Sequence, residues 1–371
     1  FMQSNLKFNW PTVLFLSICP LFGLVGTAVY VYFYGVFFIE PLLLILFWFI
    51  SGMGITMGYH RLFSHKSFKT NIFIEWILMI CGSVALQNTI LKWCSDHRKH
   101  HNFPEMEKDP YSIKKGFWHA HIGWILEKTP EVNNRITGVK DLEKKSAVVF
   151  QNKYYFHIAL VVGFLIPLLI GFYYGRPLGA LLWGVFLRIT LVHHATFFVN
   201  SLCHYVGTRT YDVYSTARDS WIVSLFTFGE GYHNYHHKFP TDFRNGVRWF
   251  AFDPSKWLIS ILSFFKLTKD LKRTNEYFVM KSKCDTIYNT LKSSLVNTSS
   301  ISQQNFKDSF DLINKLFVKW KDIDPTFCKK YSIDEKKYIK KYKREINMLF
   351  KDLKNFKSKI ITNQQTQSST I

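Results

Sequence analysis

Residues 41–65 read PLLLILFWFISGMGITMGYHRLFSH. From Pro41 to Tyr59 the stretch is apolar for about 20 residues, enough for a helix to cross roughly 30 Å of hydrocarbon, and just past its end stand His60 and His65. The same junction of apolar run and histidine recurs. An apolar run from Val13 to Tyr34 precedes it across the short link Gly35–Glu40, and Phe156–Tyr173 and Leu178–Asn200 are joined by Tyr174-Gly175-Arg176-Pro177. Links this short make each pair a membrane hairpin with almost nothing on the far side. Both hairpins therefore open toward one face, which carries residues 61–155 and everything after Ser201. Lys and Arg are dense there, so the positive-inside rule places that face in the cytoplasm. The expected fold is an all-α integral membrane protein, with four transmembrane helices in two hairpins and a cytosolic helical cap.

The stretch Ile72–Leu91 is also apolar, but it contains Glu75, Gln87 and Asn88. As a fifth span it would put HRLFSH and the next histidine cluster on opposite sides of the membrane, so it is expected as a buried or interfacial helix. Tyr205–Phe265 is amphipathic and aromatic-rich, with Trp249 and Trp257 suited to the interface. These residues, 1–268, form the expected membrane domain. Residues 269–371 turn to Lys, Asn, Ser and Asp and are expected as a charged helical extension. Its Leu312, Leu316, Phe317, Trp320, Ile346, Leu349 and Phe350 fit two amphipathic helices broken near Pro325, with a polar disordered tail from Thr362.

Composition agrees with a membrane class: of 371 residues 48% are hydrophobic and 18% aromatic. The formal charge of +21 would suggest nucleic acid in a soluble protein. Beside apolar spans it points instead to anionic lipid or cytoplasm, and no nucleic-acid partner is expected. The six cysteines form no C-x-x-C pair and show no regular spacing, so neither a disulfide frame nor a thiolate zinc site is indicated. The opening FMQSNLKFNW has no basic region followed by a small-residue cleavage site, so the first apolar run is expected to stay as an anchor.

Nine of the fourteen histidines sit at these junctions: His60 and His65, His97, His100 and His101 in HRKHH, His204 in NSLCH, and His233, His236 and His237 in HNYHH. Spacing of i, i+3 and i+4 in the two triplets aims them from one helix face. Asn200 lies one turn before His204. Nine imidazoles and one amide exceed one ion's coordination number and suit two. A structural zinc site would need only four closed ligands, whereas two histidine-held ions with an open position suit iron that activates dioxygen. A neutral ligand set leaves the ions' charge uncompensated and favours strong oxidation, which alkyl chains in a membrane could undergo. His119, His121, His157, His193 and His194 are read as ordinary surface or core residues.

Taken together, GITMGYHRLFSH, DHRKHH with the following DPYS, HIGW, FVNSLCH, YDVYSTARDS and GEGYHNYHHKFPTDFR, in this order from about Trp10 to Thr268, resemble the membrane fatty acyl-CoA desaturases, specifically the delta-9 (stearoyl-CoA) branch. The resemblance implies two iron ions, dioxygen as co-substrate, and two electrons relayed by cytochrome b5 and its NADH-dependent reductase, which leave a cis double bond in a saturated fatty acyl-CoA. The nine histidines match the family's iron ligands, with no catalytic residue beyond them, and Asn200 matches a residue that holds an iron-bound water. Gln87, Trp93 and Thr196 match positions at the kink of the family's acyl tunnel, with Phe197 where a tryptophan is usual. Lys114 and Lys115 match a basic pair at its mouth suited to CoA phosphates, beside the plain reading of a solvated charge run. Ser95 stands where a basic residue is usual, and Thr210 where a proline is.

Trp48, twelve residues before His60 on the same predicted helix, is expected to close the tunnel and favour palmitoyl over longer chains. No fused electron donor is visible, so a separate cytochrome b5 is expected, attracted by the basic face. The family places such a protein in the endoplasmic reticulum membrane, with both termini and the active site cytoplasmic. The sequon Asn297-Thr298-Ser299 would then stay unmodified. A membrane lipid hydroxylase or a sphingolipid or sterol desaturase would share the histidine boxes. A divalent-metal transporter is disfavoured because the predicted spans carry no row of acidic or polar ligands at mid-membrane.

Overall fold

Helix α1 (Trp10–Tyr34) and α2 (Ile39–Ser64) form a first hairpin; α3 (Ile72–Val84) and α4 (Ile90–Asn102) follow; α5 (Ser146–Tyr173) and α6 (Pro177–His204) form the second hairpin. The structure, a computed structural model, describes residues 7–128, 135–294, 300–322 and 335–368. The four hairpin helices are long and apolar enough to cross a membrane, and α3 is too short, as the sequence led us to expect. Three of them run past their apolar stretches: α2 continues to Ser64, α6 to His204, and α5 begins at Ser146. Composition marks only the lipid-facing part of a helix, whereas the backbone ladder continues wherever the cap can pack on it.

The two hairpin tips lie side by side. The Arg176 guanidinium donates to Tyr34 O and Gly35 O at 3.1 Å and to Glu40 Oε1 at 2.8 Å. Glu40 is fully buried and also accepts from Tyr30 Oη and the Phe37 amide. With the tips together, the opposite ends converge, which is where the histidines are.

Each span contains a π-helical stretch: Leu21–Gly26, Gly54–Ser64, Val161–Leu165 and Leu182–Leu187. Wide turns loosen the backbone ladder, and Arg188 of α6 fills the gap. Its buried guanidinium donates to Gly163 O at 2.9 Å, Gly184 O at 3.1 Å, Ser51 Oγ at 3.2 Å and Val84 O, tying α2, α3, α5 and α6 together.

Helix α3 starts where the Asn71 side chain accepts from the Ile74 amide at 2.9 Å, a standard N-cap. It buries Ile74, Leu78 and Met79 in the main core with Met57, Tyr59 and Phe63 of α2. The approach is close: a Cβ on Gly54 would lie 2.2 Å from the Gly82 nitrogen, so no larger residue fits there. Beyond the hairpins lie α7 (Trp221–Phe226), α8 (His233–Lys238), α9 (Pro254–Phe264) and a two-stranded antiparallel ladder, β1 (Lys69–Thr70) with β2 (Thr268–Lys269). Trp249 and Trp257 are both exposed, at 83% and 38%, beside the exposed Ile261 and Phe264 of α9.

The chain divides into two compact units, Phe1–Thr208 with Ala217–Arg273, and Arg209–Thr216 with Thr274–Ile371. The second unit contains α10 (Glu276–Ser294), α11 (Ser300–Lys321) and α12 (Glu335–Ser368) around Cys284, Leu291, Ile313, Phe317, Trp320 and Ile346. Among the described residues it thus holds three helices, where two were read from sequence. In α10 the inward residues Tyr277, Met280, Cys284, Ile287 and Leu291 keep helical spacing, but Lys, Ser and Asn between them mask it. Leu312 faces outward, because Ile313 takes the inward position. Helix α12 continues to Ser368, beyond Thr362, where a disordered tail was expected. Pro325 and the sequon 297–299 fall outside the described residues.

Candidate metal centre

His60 and His65 stand at the end of α2 because of its wide winding. In a π-helix residues five apart stack, and the His65 amide bonds His60 O at 3.0 Å, which puts the two rings 4.7 Å apart. Helix α4 is capped by Thr89 and presents His97, His100 and His101 from its last turns. Helix α8 presents His233, His236 and His237, and His204 closes the final turn of α6.

The imidazole nitrogens meet in two adjoining groups. His60, His65, His97, His101 and His236 form one, and His100, His233 and His237 the other, with the ligand atoms in each within 4.8 Å of one another. In the first, His236 Nε2 lies 3.0 Å from His60 Nε2 and 2.9 Å from His101 Nε2, and His65 Nε2 lies 2.8 Å from His97 Nε2. In the second, His237 Nε2 lies 3.2 Å from His100 Nε2 and 3.0 Å from His233 Nε2. The His101 and His237 rings stack at 4.7 Å across the two groups. His204 flanks the second, its ring 5.2 Å from that of His233. The structure therefore brings together eight of the nine expected histidines in the two groups, with the ninth beside them.

Burial, reinforced by the neighbouring imidazoles, holds His65, His97, His101, His233, His236 and His237 well below the usual histidine range. Neutral imidazoles each offer one lone pair, the form that a metal binds. A neutral imidazole has one N–H, so one proton cannot serve both close neighbours of His236 Nε2. Nitrogen atoms that face one another in this way fit a cation held between them. Among the described residues both groups consist of imidazoles.

Three of the outer nitrogens lie against groups that the sequence did not disclose. Asp109 Oδ1 lies 2.9 Å from His100 Nδ1, Tyr111 Oη 3.2 Å from His97 Nδ1, and Glu230 Oε2 2.9 Å from His60 Nδ1, off the line of a straight hydrogen bond. Such contacts orient metal-ligating rings and raise their basicity. Burial would push the Glu230 carboxyl up, but the facing His60 and Arg61 outweigh it and hold the carboxyl below its usual value. Arg61, also buried, bridges Glu230 at 3.1 Å and Asp253 at 2.9 Å. Asp109 and Glu230 sit inside the DPYS and GEGYHNYHH motifs, so the available signal was an acid at a fixed offset from a histidine box.

A cavity of about 1100 Å³ opens beside the imidazoles, lined by His60, His97, His233 and His236. Asn200, Gln87, Trp93, Thr196, Phe197, Trp48 and Lys115 also line it; Lys114 is exposed nearby in sequence and does not. Gln87 Nε2 donates to Thr196 Oγ1 at 2.8 Å, and Trp93 stacks on His97 at 4.8 Å. Trp48 packs on Phe228 at 4.8 Å, and a Cβ on Gly52 would fall 2.0 Å from that Phe228 ring. His193 bonds Ala85 O at 2.8 Å and His121 bonds Ser201 Oγ at 3.0 Å, as ordinary packing residues would. His193 also lines the cavity, as does His119, read from sequence as equally ordinary.

The family model "Fatty acid desaturase" matches residues 36–259. The chain belongs to the fatty acid desaturase family. It is similar to a "Probable acyl-CoA desaturase" of Schizosaccharomyces pombe, 40% identical over 71% of this chain and 55% of the relative. It is also similar to "Stearoyl-CoA desaturase" of Homo sapiens, 34% identical over 71% of this chain and 72% of the relative, and to "Delta-9 acyl-lipid desaturase 1" of Arabidopsis thaliana, 36% identical over 61% and 73%. The chain spans about half the length of the fission-yeast relative.

Proposed function

We propose that the chain is an acyl-CoA desaturase that inserts a cis double bond, at the delta-9 position, into a saturated fatty acyl-CoA. The observation that carries this reading is the pair of adjoining imidazole groups beside one cavity of about 1100 Å³; the names of the acyl-CoA relatives support it. His60, His65, His97, His101 and His236 would hold one iron, and His100, His233, His237 and His204 the other, with Asn200 beside them. Two irons there supply oxidation of an unactivated alkyl chain by dioxygen. Electrons would come from cytochrome b5 and its NADH-dependent reductase. An endoplasmic reticulum membrane with the histidines on the cytoplasmic side fits the basic cap.

The chain's own residues place the substrate. The Gln87–Thr196 hydrogen bond fixes one wall, and the Trp93 ring, stacked on His97, sets the distance between alkyl chain and imidazoles. Trp48 with Phe228 closes off further depth. Lys115 at the lining suits a phosphate. Expression in an unsaturated-fatty-acid auxotroph, with gas chromatography of its lipids, tests the reading. A cis-9 alkene that disappears on iron chelation is expected; an alcohol would identify a hydroxylase, and no product would overturn the proposal.

Trp48→Ala should deepen the cavity. The ratio of kcat/KM for stearoyl-CoA over palmitoyl-CoA is expected to rise about tenfold, the scale of one or two methylenes gaining space. An unchanged preference among chain lengths would remove Trp48 from any role in selectivity.

A further inference from the structure

His119 and Trp124 stand five apart on a π-turn, His119–Gly123, closed by the Trp124 amide bonding His119 O. That winding stacks their side chains on one face, and both line the cavity, with Lys115 and Lys128. Each carries a buried polar atom, His119 Nε2 and Trp124 Nε1, that has no hydrogen-bond partner among the described residues. Native proteins pair nearly all such atoms, so their partner is to be sought in what fills the cavity. Glu127 Oε1, 3.4 Å from His119 Nδ1, draws the ring proton to that nitrogen, which leaves Nε2 with its lone pair. Trp124 Nε1 can only donate. An acceptor beside a donor complements the N–H and C=O of a secondary amide.

We propose that His119 and Trp124 read a secondary amide in the carrier arm of the acyl donor, and so select an acyl thioester on a pantetheine-type arm over a glycerolipid ester, which has no amide N–H. The inference rests on the desaturase reading and deepens it, because relatives of this chain are named for both acyl-CoA and acyl-lipid substrates. The contact also has a route to the imidazoles. The Trp124 ring packs on Tyr111 at 5.1 Å, and the Tyr111 hydroxyl lies 3.2 Å from His97 Nδ1. An amide held here fixes how far the alkyl chain reaches past the metal centre.

The test uses the purified full chain with iron. Turnover is followed with stearoyl-CoA and with analogues in which each pantetheine amide in turn is replaced by an ester, and stearoyl-CoA binding is measured by calorimetry. On one analogue the wild type is expected to lose about tenfold in kcat/KM, the scale of a hydrogen bond. His119→Phe and Trp124→Phe should bind stearoyl-CoA about tenfold more weakly, through KM and not kcat; on that analogue His119→Phe should lose less than about twofold further, whereas Trp124→Phe, whose partner carbonyl the ester keeps, should still lose about tenfold. His119→Gln, which can still accept, should stay near wild type. Equal losses in wild type and His119→Phe, or an unchanged KM, overturn the assignment alone. Product from vesicles of stearoyl glycerolipid or N-stearoyl sphingolipid but not from stearoyl-CoA overturns the carrier class. A wild type that forms no alkene from any of them overturns the desaturase reading itself.

Discussion

His236→Ala is expected to lower bound iron from two ions per chain to one and to cut alkene formation by more than about 100-fold. His236 Nε2 lies at the centre of its group, 3.0 Å from His60 Nε2 and 2.9 Å from His101 Nε2, and the four remaining imidazoles would face an empty corner. Losing even an outer partner of a metal ligand typically costs 10–100-fold in affinity or activity, so loss of a ligand should exceed that. Metal analysis of the purified chain, beside product yield, checks both halves. A variant that kept two irons and full turnover would show that the grouped imidazoles are not the metal ligands.

Arg61→Met should produce the largest loss of stability of any single change near the centre. The guanidinium is 1% exposed and bonds Glu230, Asp253 and Phe243 O. Removing it leaves two buried carboxylates without their cation, which costs about 3–5 kcal/mol and corresponds to a fall of roughly 10 °C in melting midpoint. Glu230 also faces His60, so iron affinity should drop with it. Pairing the change with Glu230→Gln should recover part of the midpoint, because one unpaired charge goes with it. Thermal melts of the single and double variants in detergent decide this; an unaltered midpoint in Arg61→Met would show that the network carries no stability.

Much of this site was legible in the chain, and the reasons are specific. His97, His100 and His101 at i, i+3 and i+4 leave a helix few ways to point them, and the short links Gly35–Glu40 and Tyr174–Pro177 force both hairpins to open the same way. Pairings across long separations were not legible. Glu40 and Arg176 are 136 positions apart and Arg61 and Glu230 are 169 apart, and nothing in a lone acid or base names its partner. The winding of the spans was hidden as well: an all-apolar run has no polar face to display its period, so the π-helical stretch from Gly54 to Ser64 reads like any other span. His119 escaped notice because its importance lies in a missing partner, visible only once its surroundings are known.

That widened coil on the second span also sets how the chain can change over time. Exchanging a letter between Gly54 and Ser64 alters one side chain, but dropping a single letter with no matching change of winding would rotate everything beyond it by roughly 100° about the axis. His60 and His65 would then turn away from their companions, with every letter of the histidine box intact. The segment that looks like a passive anchor therefore acts as a gauge, more sensitive to its length than to its spelling.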